Sequence, residues 1–211
     1  MSLMRRYDFG LSLIRDAGEL ALGYFNNRTS LSIQSKGPQD MASEADLNTE
    51  LLIKSRLAGA FPEDAFLGEE TGRTAFAKDQ GIWVVDPIDG TQPFICGLSS
   101  WCVSIAFVRG GVLQFGMVYA PARDELFAGG AGHLATLNGQ PIRGAPAASV
   151  KDGLIGAGYS PKSGVDQFLP AFERFLRAGG MFYRDGSGAL GLEKDLLAVR
   201  HHHSPSLLLF L

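Results

Sequence analysis

Apolar residues in the first third of the chain fall into two alternating patterns. Over residues 7–26, Leu13, Ala17, Leu20, Ala21 and Tyr24 recur at three- and four-residue intervals, which predicts an amphipathic helix. Leu31-Ser-Ile-Gln-Ser alternates apolar with polar and predicts a short strand leading into Lys36-Gly37-Pro38. A second helix is expected from about Ser43 to Gly59, with Leu47, Leu51 and Ala58 turned inward and Pro62 closing the segment. Ala65-Phe-Leu-Gly and Ile82–Val85 are brief apolar runs that predict buried strands.

From Cys102 the pattern becomes β-rich. Residues 102–108, 112–119 and 124–128 predict antiparallel strands, with Arg109-Gly-Gly and Pro121-Ala-Arg-Asp as the turns. Asn138-Gly139 is a strong hairpin-type turn signal. A further strand is expected within Gly153–Gly158 and a helix over Val165–Arg177. Helices first, then a meandering sheet, then renewed alternation predict a layered, mixed α/β architecture. The last twenty residues differ. Leu192–Arg200 can extend a helix, but His201-His-His-Ser-Pro-Ser and the apolar run after it have no period. Three consecutive histidines cannot all face one ion in regular structure, so this stretch reads as an atypical tail rather than a metal site.

Composition narrows the class. At 211 residues, one domain or two closely packed halves is expected, and 45% hydrophobic with 19% charged residues supplies ample core material. A net charge of −3 with no long basic run argues against a nucleic-acid polymer as partner. No apolar stretch is long enough to span a membrane, and Arg15, Asp16 and Glu19 interrupt the segment a signal peptide would need, so a cytoplasmic location is expected. Cys96 and Cys102 are too few for a disulfide framework or zinc cluster and read as two reduced thiols. His133, among glycines in an expected turn, reads as a surface histidine.

Candidate chemistry concentrates in residues 83–94, Trp-Val-Val-Asp-Pro-Ile-Asp-Gly-Thr-Gln-Pro-Phe. Asp86 and Asp89 bracket a stiff Pro-Ile step that leaves an apolar strand and enters a Gly90-Thr91 turn. Such an arc can aim carboxylates and intervening carbonyls at one point, as a hard divalent cation requires, with turn amides left to receive a phosphate. Gly68-Glu69-Glu70 also follows a short apolar strand, and if the two strands are neighbours four carboxylates meet at one end of a sheet. Taken singly, Glu69-Glu70 reads as a solvated pair and Asp-Pro as an ordinary turn; the combination is far more specific.

Lys36, Asp40, Asp46, Gly68-Glu69-Glu70, Trp83–Phe94 and Asn138-Gly139 stand in the order and approximate spacing of the inositol monophosphatase family, which the chain resembles from about residue 10 to about residue 190. The resemblance implies a layered αβαβα sandwich of the inositol monophosphatase and fructose-1,6-bisphosphatase type, and a lithium-sensitive, Mg²⁺-dependent phosphatase that is commonly a homodimer. It implies two or three Mg²⁺ ions, with Mn²⁺ as a substitute and Ca²⁺ and Li⁺ inhibitory. Glu69, Asp86 and the carbonyl of Ile88 would bind the tighter ion, and Asp86 would bridge to a second ion held also by Asp89. Amides around Gly90 and Thr91 would cradle the phosphate, Thr91 backed by Asp46 would orient the attacking water, and Glu70 would help position water or a third ion. Glu69, Thr91 and Asp46 are thus the expected catalytic set. Lys36 either offsets negative charge near the mouth or is an isolated exposed lysine. In Arg184-Asp185-Gly186-Ser187-Gly188-Ala189-Leu190, Asp185, Ser187 and Ala189 either contact a sugar hydroxyl or Ser187 is an ordinary helix cap.

The implied reaction is in-line attack of water on a small polyol or sugar phosphate, by default myo-inositol 1-phosphate. Fructose 1,6-bisphosphate, histidinol phosphate and 3′(2′),5′-bisphosphate nucleotides are the alternative substrates. The family-like domain is expected over residues 1–190 and the atypical tail over 191–211. The family's later Trp-Asp pair, whose aspartate binds the second metal, has no counterpart, since the only tryptophans are Trp83 and Trp101. The expected second half is therefore incomplete, and a non-catalytic metal-binding remnant is the competing reading.

Overall fold

Ser2 starts the first helix, α1 (Leu3–Asn26), upstream of the expected residue 7: its side chain accepts the Arg5 N–H at 3.2 Å. The computed structural model describes residues 2–37, 40–143, 149–151, 154–159 and 164–191, and it divides into two units, Met1–Pro141 and Ile142–Leu211. In the first unit, β1 (Ile33–Gly37) pairs antiparallel with β2 (Asp40–Ser43), and Ser43 caps α2 (Glu44–Ala60) through a reciprocal box with Asp46.

The inward face expected of α2 is wrong. Leu47 and Leu51 are 43% and 45% exposed and Ala58 is exposed, whereas Ala45, Asp46, Thr49, Glu50, Ile53 and Leu57 are buried. Apolar spacing misleads here because the helix turns a polar stripe inward, and its Asp46 and Glu50 carboxyls find hydrogen-bond partners there.

The sheet follows: β3 (Ala65–Gly68), β4 (Gly72–Arg73), β5 (Gly81–Asp89), β6 (Cys102–Arg109), β7 (Val112–Ala120), β8 (Glu125–Gly130), β9 (His133–Leu137) and β10 (Gln140–Pro141), with a short α3 (Thr91–Cys96) after β5. Its spatial order is β10-β9-β8-β7-β6-β5-β3-β4; among the described residues the β3–β5 pair in this sheet is parallel and the other neighbouring pairs are antiparallel. Asn138-Gly139 is the expected two-residue turn, with Leu137 paired to Gln140, and the Asn138 side chain binds the Leu126 N–H and the Asp124 carbonyl. α1 and α2 pack on each other and on the sheet, closing a core that includes Leu13, Ile14, Ile53, Trp83, Ile105, Phe107, Phe115 and Met117. His133 is not a turn residue: it opens β9 and stacks on Tyr7 at 3.8 Å.

In the second unit, β11 (Leu154–Gly156) pairs parallel with β12 (Met181–Tyr183), and α4 (Val165–Arg177) sets Phe172 edge-on to Phe182 at 4.7 Å. Both units show the mixed α/β class expected from the sequence. Residues 192–211, with the three histidines, lie outside the described residues.

One buried ion pair fastens α1 to the start of β3. Arg6 Nε and Nη2 donate to the Asp64 carboxylate at 2.6 and 2.8 Å, and Trp83 Nε1 donates to the same group at 3.1 Å. Both Arg6 and Asp64 side chains are almost wholly shielded from solvent. Removing one member of such a pair strands the other charge, a cost of about 3–5 kcal/mol. Arg6→Ala is therefore expected to lower unfolding stability by about that amount, read as a fall in urea midpoint at unchanged slope. A loss under about 1 kcal/mol would show that the pair behaves like an exposed one.

Candidate active site

The parallel pairing of β3 and β5 sets Gly68 opposite Val85. The next residue on each strand is an acid, Glu69 on one and Asp86 on the other, so two carboxylates emerge from neighbouring strands at the same end. The adjacency anticipated from sequence is what the ladder provides.

Asp86 and Asp89 share a face of the sheet, although residues three apart on a regular strand point to opposite faces. The ladder with β6 explains this. Asp86 lies opposite Ser104 and Asp89 opposite Cys102, so three steps on β5 match two on β6. The extra residue is a β-bulge at Pro87-Ile88, where proline has no N–H to give the ladder. Burial follows the shift: residues 81, 83, 85, 87 and 88 are buried, and 82, 84, 86 and 89 are the more open positions. Cys102 Sγ lies 3.9 Å from an Asp89 oxygen.

Past Asp89 the chain turns at Gly90, whose φ of +97° is open to glycine at no steric cost, and Thr91 begins α3. The first amides of that helix have no intrahelical acceptor. The Thr91 hydroxyl lies 3.2 Å from Asp46 Oδ1 and 3.2 Å from the Ile88 carbonyl, and its one proton can serve only one acceptor at a time. The other Asp46 oxygen accepts from the Ser43 N–H at 2.8 Å and from the Ser43 hydroxyl at 2.6 Å. Burial raises the Asp46 carboxyl above its ordinary range; the Ser43 and Thr91 hydrogen bonds oppose this and Glu70 adds to it.

Asp86 is the most perturbed group. Burial, then the nearby Glu69 and Asp89 charges, push its carboxyl up to about 9, with Glu69 also within hydrogen-bonding reach. Its Oδ1 is buried without a hydrogen-bond partner. Among the described residues no group of three or more His, Cys, Asp or Glu side chains is placed to hold a metal ion. The donor set nonetheless fits a hard cation. All its atoms are oxygens, one is buried and unsatisfied, and a positive charge would relieve both the desolvation and the repulsion.

Glu70 continues the Glu69 loop, and its N–H donates to Glu50 Oε2 at 2.8 Å. Lys36 lies on β1, with its side chain outside the described set. Ser187 belongs to the second unit, where its hydroxyl accepts the Leu190 N–H at 3.1 Å in the manner of a helix cap. Glu50 and Lys54 were not anticipated. Lys54 Nζ donates to the Thr71 hydroxyl at 2.8 Å. Their signal was the four-residue step from Asp46 along one helix.

A mixed sheet that gathers acids at the ends of a parallel strand pair, beside a glycine turn opening a helix, defines a carboxylate-rich α/β enzyme scaffold. The chain belongs to the inositol monophosphatase family, whose model it matches over residues 3–194. That assignment puts it among phosphatase-type hydrolases. It is 38% identical over 185 residues to an inositol-1-monophosphatase of Mesorhizobium japonicum, covering 87% of this chain and 66% of that protein. It is 33% identical over 180 residues to the Nus factor SuhB of Xylella fastidiosa, covering 84% of this chain and 65% of that one. The chain thus spans about two thirds of the length of these relatives. The crystal structure of extragenic suppressor protein suhB from Bartonella henselae superposes with a TM-score of 0.85 at 29% identity, covering 92% of this chain and 74% of that one. No helix among the described residues is long and apolar enough to cross a membrane.

The raised Asp86 carboxyl makes metal-free stability depend on pH. Unfolded, this group titrates near the ordinary value of about 3.9; folded, near about 9. Between those values the folded chain binds the extra proton, so the group's contribution is full below pH ~4 and is lost as pH rises toward ~9. In chelator-dialysed protein the thermal midpoint is expected to fall across that window, and Asp86→Asn to flatten the fall and raise the midpoint at pH 8 by at least about 2–4 °C. A variant whose pH profile matches that of the wild type would refute this.

Proposed function

We propose that this chain is a Mg²⁺-dependent phosphomonoesterase for small polyol or sugar phosphates, with myo-inositol 1-phosphate as its first candidate substrate. One observation carries the reading: Asp86 holds a buried, unpartnered oxygen under the charges of Glu69 and Asp89, and the strand that bears it leads into a threonine whose hydroxyl is backed by a buried aspartate. Glu69, Asp86 and the Ile88 carbonyl would hold one ion, and Asp86 with Asp89 a second. When bound, such ions lower the pKa of water and neutralise charge on phosphoryl and leaving-group oxygens.

The chain's own groups supply position and protons. Amides at Gly90 and Thr91 are available to phosphoryl oxygens at the start of α3. Asp46 accepts from the Thr91 hydroxyl, which leaves the threonine lone pairs free to accept from the attacking water and orient it. Ser43 locks Asp46 in that role by two hydrogen bonds to its other oxygen. Glu70 lies beside this pair and adds negative charge that supports the base. The relatives bear both phosphatase and Nus factor names; the carboxylate arc supports the first.

Phosphate release is expected from at least one of myo-inositol 1-phosphate, histidinol phosphate, fructose 1,6-bisphosphate and 3′-phosphoadenosine 5′-phosphate in the presence of Mg²⁺. Thr91→Ala should lower kcat by about 10²–10⁴-fold with little change in KM. Silence on all four substrates would sink the catalytic reading. Calorimetric Mg²⁺ binding that persists without turnover would favour a metal-binding, non-catalytic protein instead.

A further inference from the structure

Helix α2 turns three polar side chains toward the site at four-residue steps: Asp46, Glu50 and Lys54. Asp46 holds Thr91, at the start of α3. Glu50, fully buried, accepts the Glu70 N–H at 2.8 Å with one oxygen and the Thr71 N–H at 2.7 Å with the other. Lys54 closes on the Thr71 hydroxyl at 2.8 Å, with its ammonium 5.3 Å from the Phe66 ring centre. The loop between β3 and β4 is therefore gripped at two successive amides and one hydroxyl by a single helix, immediately after Glu69. Gly68 completes the grip, since a Cβ there would clash with all three heavy atoms of the Glu50 carboxyl group.

We propose that Glu50, assisted by Lys54, is a positioning residue that fixes the Glu69 carboxylate against Asp86 and so sets cation affinity. The proposal rests on the metal-dependent reading above. It goes beyond it in naming a residue that touches neither substrate nor ion. Glu50 acts through the backbone, because two carboxyl oxygens spanning consecutive amides fix the direction in which the preceding side chain leaves the strand. Because Asp46 lies on the same helix, α2 also sets the spacing between the acid loop and the Thr91 turn.

The test uses the full chain and Mg²⁺ alone as probe. Glu50→Gln keeps the size of the side chain but leaves one acceptor oxygen for two amides. It is expected to weaken calorimetric Mg²⁺ binding by about 10–100-fold. In the metal-free protein it should speed amide exchange at Glu70 and Thr71 at least about tenfold while other core amides stay protected. Lys54→Met, a milder change, should shift both readouts the same way by less, and it keeps the test open should Glu50→Gln fail to fold. Leu47→Ala, on the exposed face of the same helix, should leave both unchanged. Local exchange that quickens while Mg²⁺ affinity stays within twofold would reduce Glu50 to a purely structural role and overturn the proposal, as would unchanged exchange at Glu70 and Thr71. Failure of the wild type to bind Mg²⁺ would remove the metal-dependent reading itself, and this inference with it. That failure shows in the wild-type titration, the others only in the variants.

Discussion

A single extra residue in β5 decides where the acids of this protein point. Were the strand regular through Asp89, the two aspartates would sit on opposite faces, one in the core and one in the open. The Pro87-Ile88 bulge changes the count, three steps against two, and both carboxyls arrive on one side with Ile88 kept in the apolar interior. Glu69 joins them because β3 is the one parallel neighbour of β5; an antiparallel neighbour would have carried its acidic exit to the far end of the sheet. The site is thus a product of ladder arithmetic before any side chain makes a contact.

Gathering acids in this way concentrates repulsion, and the fold meets it in two manners. Around Asp46 and Glu50 it supplies backbone and hydroxyl donors, so those carboxyls are buried and satisfied. Around Asp86 it withholds a donor from one oxygen and allows the neighbouring charges to act. The contrast is between carboxyls whose oxygens are satisfied within the frame and one that keeps a buried oxygen without a donor. The Arg6–Asp64 pair, with Trp83 as a third member, shows the fold bringing in a cation where stability alone is at stake.

Much of this was legible in sequence. The strands around Trp83 and Phe107, the helix over residues 165–177 and the Asn138-Gly139 turn carry strong local signals, and the structure has each in place. The acid-bearing motifs were legible too, because glycine, proline and paired acids in that order are rare by chance. The inner face of α2 was not. Its buried positions include Asp46, Thr49 and Glu50, and hydropathy ranks such residues as outward-facing when their partners lie far away in the chain. Glu50 reaches amides twenty and twenty-one residues on, a relation no periodicity encodes. His133 was misplaced for a similar reason: its stacking partner, Tyr7, lies at the other end of the unit.

The fit between Gly68 and Glu50 also bears on how such a sequence can change over time. The space a side chain at position 68 would need is already taken by the Glu50 carboxyl. Any larger residue there must displace that carboxyl, and the two amides it holds lose their acceptor together. Shortening position 50 first frees the space but strands the same amides. Either change alone costs the same two hydrogen bonds, so what position 68 can hold is set by position 50 and the reverse.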